Sequence, residues 1–246
     1  MPLRHLAGLD HAVIAVRDLA AAAEAWRALG FTLSPRGEHS AHMGSANHTI
    51  MLGPDYFELL GITRPTEHNA PLRARLEQGE GLEMIAMRTD DAAAGAEELR
   101  ARGVAAEGPL AFERPVPLPG GGEAPARFRI FRWPPGGRPG GIAVFACEHL
   151  TPETVWLPEL QRHANGATRM LRVEVATPDP AAAAAELAAL LDRPASGHAV
   201  ETAPGRATVL FRAGQAEPAT LVFATRGAAR AGGMATGVRV AFEAEG

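Results

Sequence analysis

The sequence predicts an α+β protein made of three βαβββ-like units, two of them paired and the third odd. The first observation behind this is an internal repeat. Residues 8–31 (GLDHAVIAVRDLAAAAEAWRALGF) align without a gap onto residues 81–104 (GLEMIAMRTDDAAAGAEELRARGV) at an offset of 73, with ten of 24 positions identical. Alanine matches weigh little in so alanine-rich a chain. The pairs Gly8/Gly81, Asp18/Asp91, Glu24/Glu97, Arg27/Arg100 and Gly30/Gly103 carry the repeat, and a period of this size marks units too small to bury their own apolar face. The second observation is a weaker third copy, which opens at 171–180 (LRVEVATPDP). The third is the length: 246 residues fit three units of roughly 75–80 residues better than one or two domains of ordinary size.

The elements follow in order. Residues 9–17 alternate as a half-buried strand, with Ala12, Ile14 and Val16 on one face and Leu9, His11, Val13 and Ala15 on the other. Asp18 sits where a helix N-cap belongs, the helix formers of 19–29 follow, and Gly30 closes the helix. Strand-like runs at 31–36, 46–52 and 56–62 complete a first unit over 7–78, separated by turn residues. The second unit, 79–150, repeats this with strands near 104–107, 126–132 and 141–148 and an enlarged Pro/Gly-rich loop from Pro115 to Pro125. Residues 151–166 read as a connector. A third βαβββ-like half-domain occupies 167–246, with its helix at 181–191 and strands at 206–212, 219–225 and 236–242. Since one unit alone closes no cup, this third unit is expected to pack against its counterpart in a second chain, as a homodimer, or to cover the first two units.

Composition removes several chemistries. All 24 basic residues are arginine, which excludes Schiff-base lysines and Walker phosphate loops. Cys147 is the only cysteine, which excludes internal disulfides, CxxC pairs and cysteine-rich zinc sites. A net charge of −4 with both signs scattered gives no footprint for nucleic acid. No apolar run reaches the length of a signal-peptide core or a membrane span. The expectation is a soluble cytoplasmic protein whose partner is a small molecule rather than nucleic acid or membrane.

Several segments in repeat order resemble the vicinal oxygen chelate superfamily, and more closely its glyoxalase-like branch. They are LDHAVIAVRDL at 9–19, GSANH at 44–48, DYFELL at 55–60, RTDD at 88–91 and EHLTPE at 148–153. The resemblance spans about residues 7–165. It implies a curved mixed-sheet cup of the glyoxalase/bleomycin-resistance/dioxygenase type, formed by two βαβββ modules and usually holding a divalent metal such as Zn, Fe, Ni or Mn. Relatives include lyases, isomerases, ring-cleaving dioxygenases and metal-free binding proteins, so the fold does not name the reaction.

On that resemblance His11 and Glu58 take ligand positions on the first and fourth strands, and Glu148 is favoured as a third ligand by analogy with Glu58. The second module departs from the pattern, because Met84 stands opposite His11 and a thioether is a poor ligand for a hard divalent ion. Alternation allows only one of Cys147 and Glu148 to face the cup, with His149 on the side of Cys147. Arg88 shares a face with Met84 and Ala86. It is poised to fork onto a substrate anion, to pair with Glu58, or to end in solvent. Asn47 and His48 flank the cup on opposite faces, and Tyr56 lies two residues before Glu58. The candidate substrate-binding set is therefore Arg88, Asn47, His48, Met84, Tyr56, Cys147 and His149. Two functions compete: a metal-assisted enzyme of lyase, isomerase or dioxygenase type acting on a small polar or anionic molecule, and a metal-free binding protein with Arg88 as its anion anchor.

Overall fold

The structure, a computed structural model, describes residues 3–118, 121–134, 137–227 and 230–245. Its first part runs β1 (Leu9–Val16), α1 (Leu19–Ala28), β2 (Gly37–Glu38), β3 (Ser45–Met51), β4 (Tyr56–Ile62) and α2 (Ala70–Gln78). The repeat unit follows as β5 (Gly81–Arg88), α3 (Ala92–Ala101), β6 (Glu107–Pro117), β7 (Glu123–Arg132) and β8 (Ala143–His149). The helices start where the sequence places their caps. Asp18 accepts from the amides of Ala20 and Ala21, and Asp91 from those of Ala93 and Ala94.

These strands form one eight-stranded sheet in the order β2-β3-β4-β1-β5-β8-β7-β6. In each unit the first strand runs parallel to the last, β1 with β4 and β5 with β8, and the two units join through antiparallel β1 and β5. The sheet curls until its edges meet: a Cβ built on Gly37 of β2 comes within 2.7 Å of Arg114 Nη1 on β6. The result is the cup of mixed α+β architecture that the sequence predicts.

Local expectations shift in three places. The run 31–36 forms no ladder beyond the bond from Ser34 N to Thr49 O, because Pro35 has no N–H to continue it. In the stretch expected as a loop from Pro115 to Pro125 the two ends pair as a hairpin, with Pro115 opposite Pro125 and Pro117 opposite Glu123 on an edge strand, and 119–120 lie outside the described residues. Helix α2 was not foreseen, since its apolar content is low and only Leu76 is buried.

The remaining chain is β9 (Ala167–Thr177), α4 (Pro180–Leu191), β10 (Ala195–Ser196), β11 (Ala199–Glu201), β12 (Thr208–Ala213), β13 (Ala219–Thr225), β14 (Gly233–Ala235) and β15 (Val238–Ala244). It forms a seven-stranded sheet ordered β10-β11-β12-β9-β13-β15-β14. Here β12 is parallel to β9, so the third βαβββ-like arrangement is complete at Ala213. The runs at 219–225 and 236–242, expected as the last strands of that unit, belong to a further set. β13 is antiparallel to β9 and parallel to β15, the relation that β5 bears to β1 and β8. The third unit thus meets a counterpart within its own chain.

That fourth set has no helix among its described residues. Its apolar face is covered by the first half of the chain instead. Phe31 packs at 5.2 Å from Phe223 and 6.0 Å from Phe242, Phe57 lies 5.4 Å from Phe223, and Trp26 Nε1 donates to Thr236 Oγ1 at 2.9 Å. Conversely, α4 packs on the segment before β8, where Gly140 lies against Phe211 and Val175. A single apolar core therefore runs between the two sheets and the helices. No helix among the described residues is long and apolar enough to cross a membrane.

Candidate functional site

Two β-bulges, at positions related by the repeat, shape the site. In the β1–β5 ladder Leu9 pairs with Met87 and His11 with Ala86, which leaves Asp10 extra. Val13 pairs with Met84 and Ile14 with Leu82, which leaves Glu83 extra. A bulged residue re-aims its neighbours. Leu9, expected on the cup face, joins the core between the sheets, and Asp10 reaches groups that line the cup. Glu83, at 7% exposure, is instead held by Arg138 Nη2 at 2.8 Å and Arg75 Nε at 3.2 Å.

Asp10 is fully buried and is the hub of the site. Its Oδ2 lies 2.8 Å from both His11 Nδ1 and His149 Nε2, and its Oδ1 accepts from Arg88 Nε at 2.7 Å. Burial opposes its ionisation. The charge and hydrogen bond of His149, with those of His11, outweigh burial and hold the carboxyl well below its usual range. An ionised carboxylate only accepts, so His11 Nδ1 and His149 Nε2 carry protons toward Asp10, and in the neutral form of either ring the other nitrogen, His11 Nε2 or His149 Nδ1, is the acceptor.

Above this network lies the connector. Trp156 packs 4.7 Å from both the Arg88 guanidinium and the His149 ring, and 5.6 Å from Tyr56. A cavity of about 340 Å³ is lined by Gly53, Arg88, Thr89, His149, Pro152 and Trp156. Arg88 Nη2, Thr89 Oγ1 and His149 Nδ1 are all buried and without a hydrogen bond to any described residue.

The structure sorts the sequence-predicted residues clearly. His11 stacks on Tyr56 at 4.3 Å and meets Phe145 edge-on at 5.4 Å. Burial raises the Tyr56 hydroxyl well above its ordinary value, helped by the charge of Asp10. Arg88 pairs with Asp10, not with Glu58. Cys147 and His149 come together, with Sγ 3.9 Å from Nε2, and burial pushes the thiol up. Glu148 lies on the opposite face of β8, where it accepts from Ala92 N at 2.9 Å and sits 3.6 Å from Arg129. It supports the start of α3 and is no part of the cup, because alternation gives the inward positions to Cys147 and His149. His48 likewise points away, with Nδ1 2.8 Å from the Ser34 carbonyl. Asn47 is the inward one of that pair and donates to Glu58 Oε2 at 2.8 Å.

Sequence reasoning missed two charged residues. Asp10 hides behind a bulge that no alternation pattern shows, although its alignment with Glu83 marked an acidic pair. Arg114, at 7% exposure, shares the alternating face of β6 with Phe112 and Val116, which belong to the apolar cluster lining the cup. Burial lowers its pKa, opposed by the nearby charge of Glu58.

The ligand ring implied by the resemblance can be traced by register. Val13 pairs with Glu58 and its repeat mate Ala86 pairs with Phe145, so Phe145 holds the β8 position that corresponds to Glu58. The ring is then His11, Glu58, Met84 and Phe145. A thioether and a phenyl at two of four positions do not fit a divalent ion of the family's kind. A different group, Asp10, Cys147 and His149, has its ligand atoms within 4.8 Å of one another.

The family model for the glyoxalase-like domain matches residues 9–191, from the start of β1 to the end of α4. The chain belongs to the glyoxalase-like domain family. It is a member of the vicinal oxygen chelate superfamily, as its paired modules show. This glyoxalase-like protein is similar in structure, at TM-score 0.75 and 13% identity, to a hypothetical protein from Staphylococcus aureus, over 96% of this chain and 99% of that one. The two-sheet architecture is thus shared over nearly the whole length. Methylmalonyl-CoA epimerase from Streptomyces coelicolor, solved with 2-nitronate-propionyl-CoA, matches at 25% identity and TM-score 0.45, over 59% of this chain and 99% of that one. The epimerase from Mycobacterium tuberculosis matches at 20% and 0.44, over 60% and 91%. Comparison with curated proteins finds no match.

Proposed function

We propose that the cup binds a small organic anion through Arg88 and that the Asp10–His149 pair takes up a proton from it, as an isomerase-type enzyme without a bound metal. One observation carries this reading: Arg88, Thr89 and His149 line one cavity, and each has a buried polar atom without a partner among the described residues. Leaving such groups unsatisfied costs about 1–3 kcal/mol each, and a carboxylate that accepts from Arg88 and Thr89 offsets that cost. His149 suits the base, because Asp10 fixes its proton on Nε2 and leaves the Nδ1 lone pair available. Trp156 stacks on one face of the guanidinium and walls the same cavity.

Calorimetric titration with short carboxylates in the presence of chelator tests the binding step, with binding expected in the wild type and a loss of tenfold or more in Arg88→Gln. Exchange of the ligand's α-proton in deuterated water, followed by NMR, tests the chemistry and should vanish in His149→Gln. Absence of carboxylate binding to the wild type sinks the proposal.

The closeness of Asp10, Cys147 and His149 favours a second reading, a soft divalent ion, zinc foremost, held by those three groups. Against it stand the Arg88 cation at 2.7 Å from Asp10 and a thiol that burial keeps protonated. Metal analysis of untagged protein decides, since one equivalent of metal replaces the first reading with the second.

A further inference from the structure

The reading above uses one wall of the cup. On the other wall, at the seam where β2 meets β6, lies a second polar group that it leaves unexplained. Arg114 is 7% exposed, and makes no hydrogen bond and no ion pair with any described residue. Asn47 is 2% exposed, and its Oδ1 is buried without a partner among the described residues. The orientation of that amide follows from Glu58: the carboxylate only accepts, so Asn47 Nδ2 faces it at 2.8 Å and Oδ1 faces away. The free amide oxygen and the guanidinium converge across Gly37, where an added Cβ would stand 2.7 Å from both Asn47 Oδ1 and Arg114 Nη1. The Arg114 guanidinium, an orphaned acceptor and the Glu58 carboxylate bonded to Asn47, gathered at this seam, suit a group that both accepts and donates.

We infer that this seam recognises a hydroxyl or carboxamide, so that the cup's ligand is a small carboxylate carrying such a group at its far end. The inference rests on the proposal that Arg88 holds the carboxylate. The seam's own chemistry decides against a second carboxylate, because Asn47 Oδ1 and Glu58 would both repel it while only Arg114 attracted it. Asp10, which holds Arg88, and Val13, the partner of Glu58, are three residues apart along β1, which offsets the two ends by about 10 Å along the strand direction alone, so acids of about six carbons are the shortest worth testing.

Three probes of equal carbon number separate the possibilities: hexanoate, 6-hydroxyhexanoate and adipate, titrated into the full chain by calorimetry with chelator present. The expected order is 6-hydroxyhexanoate about tenfold tighter than hexanoate, with adipate no tighter than hexanoate. Arg114→Gln should erase the advantage of the hydroxy acid and leave hexanoate unchanged. Asn47→Ala should do the same and serves if the arginine variant fails to fold. Adipate binding tightest, or Arg114→Gln weakening all three probes equally, overturns the inference while leaving the Arg88 reading intact. Failure of hexanoate to bind the wild type overturns that reading and this one with it. A ligand-free measurement gives an independent check. Arg114→Met, which removes a guanidinium that makes no hydrogen bond to a described residue, at similar volume, should raise the melting temperature, and a fall would show that the guanidinium already has its partner within the chain.

Discussion

Replacing Asp10 by asparagine is the sharpest perturbation available in this fold. The carboxylate satisfies three donors, His11 Nδ1 and His149 Nε2 at 2.8 Å and Arg88 Nε at 2.7 Å. Asparagine offers one acceptor oxygen and turns an N–H₂ toward groups that already donate. Breaking a buried ion pair by removing one partner costs about 3–5 kcal/mol. Arg88 is 31% exposed in its side chain, so water recovers part of its loss and the lower figure, about 3 kcal/mol, applies. For a chain of this size each kcal/mol moves the melting temperature by about 2–4 °C, which puts the expected drop at about 6–12 °C in scanning calorimetry at pH 7. The sign of the pH dependence is fixed by the lowered Asp10 pKa. Its stabilisation is present above the ordinary carboxylate value of 3.8 and is lost as pH falls below it. The gap between wild type and variant should therefore close below about pH 4. A drop of under 1 °C at pH 7, or additive losses in the Asp10→Asn/Arg88→Gln double variant, refutes the view of Asp10 as the hub.

Two further outcomes follow from burial. Burial raises Asp55 from 3.8 to about 7, against the hydrogen bond from Met170 N. A raised carboxyl contributes stability that is full below 3.8 and lost as pH rises through about 7, on the order of 4 kcal/mol. Asp55→Asn, which keeps the acceptor, should flatten that slope and leave the variant more stable than wild type at pH 8 in urea melts. Cys147, 2% exposed and with its thiol pushed up by burial, should resist iodoacetamide at pH 8 in the folded protein and react on unfolding. Rapid labelling in native buffer would count against the packed cup floor.

Much of the architecture was legible because it repeats. The glycine and aspartate pairs at an offset of 73 located α1 and α3 and their caps. Alternation placed Met84, Ala86 and Arg88 on one face and set Cys147 with His149. What stayed hidden has local causes. Alternation assumes an unbroken ladder, so a single extra residue at Asp10 concealed the centre of the charge network. Glu148 matched Glu58 in its neighbours, but it lies one residue out of phase with the inward row of β8. Arg114 was invisible because it fell between the strand expected near 104–107 and the loop expected from Pro115, so no alternation was read there. The fourth strand set escaped notice because a repeat sought by its helix is missed where the helix is missing.

That missing helix has a consequence for how the chain holds together. The apolar face of β13 and β15 rests on Phe31 and Phe57, and Trp26 reaches across to Thr236. The second sheet therefore borrows its cover from residues laid down at the opposite end of the polypeptide. In exchange, its loops grip the start of β1, where Thr202 Oγ1 accepts from Leu9 N beside the Asp10 bulge. Neither half is a module that can be cut out and kept. Severing the connector would strip one sheet of its roof and loosen the strand that carries the charge hub of the other, so loss of the distal sheet would be felt as loss of order at the cup.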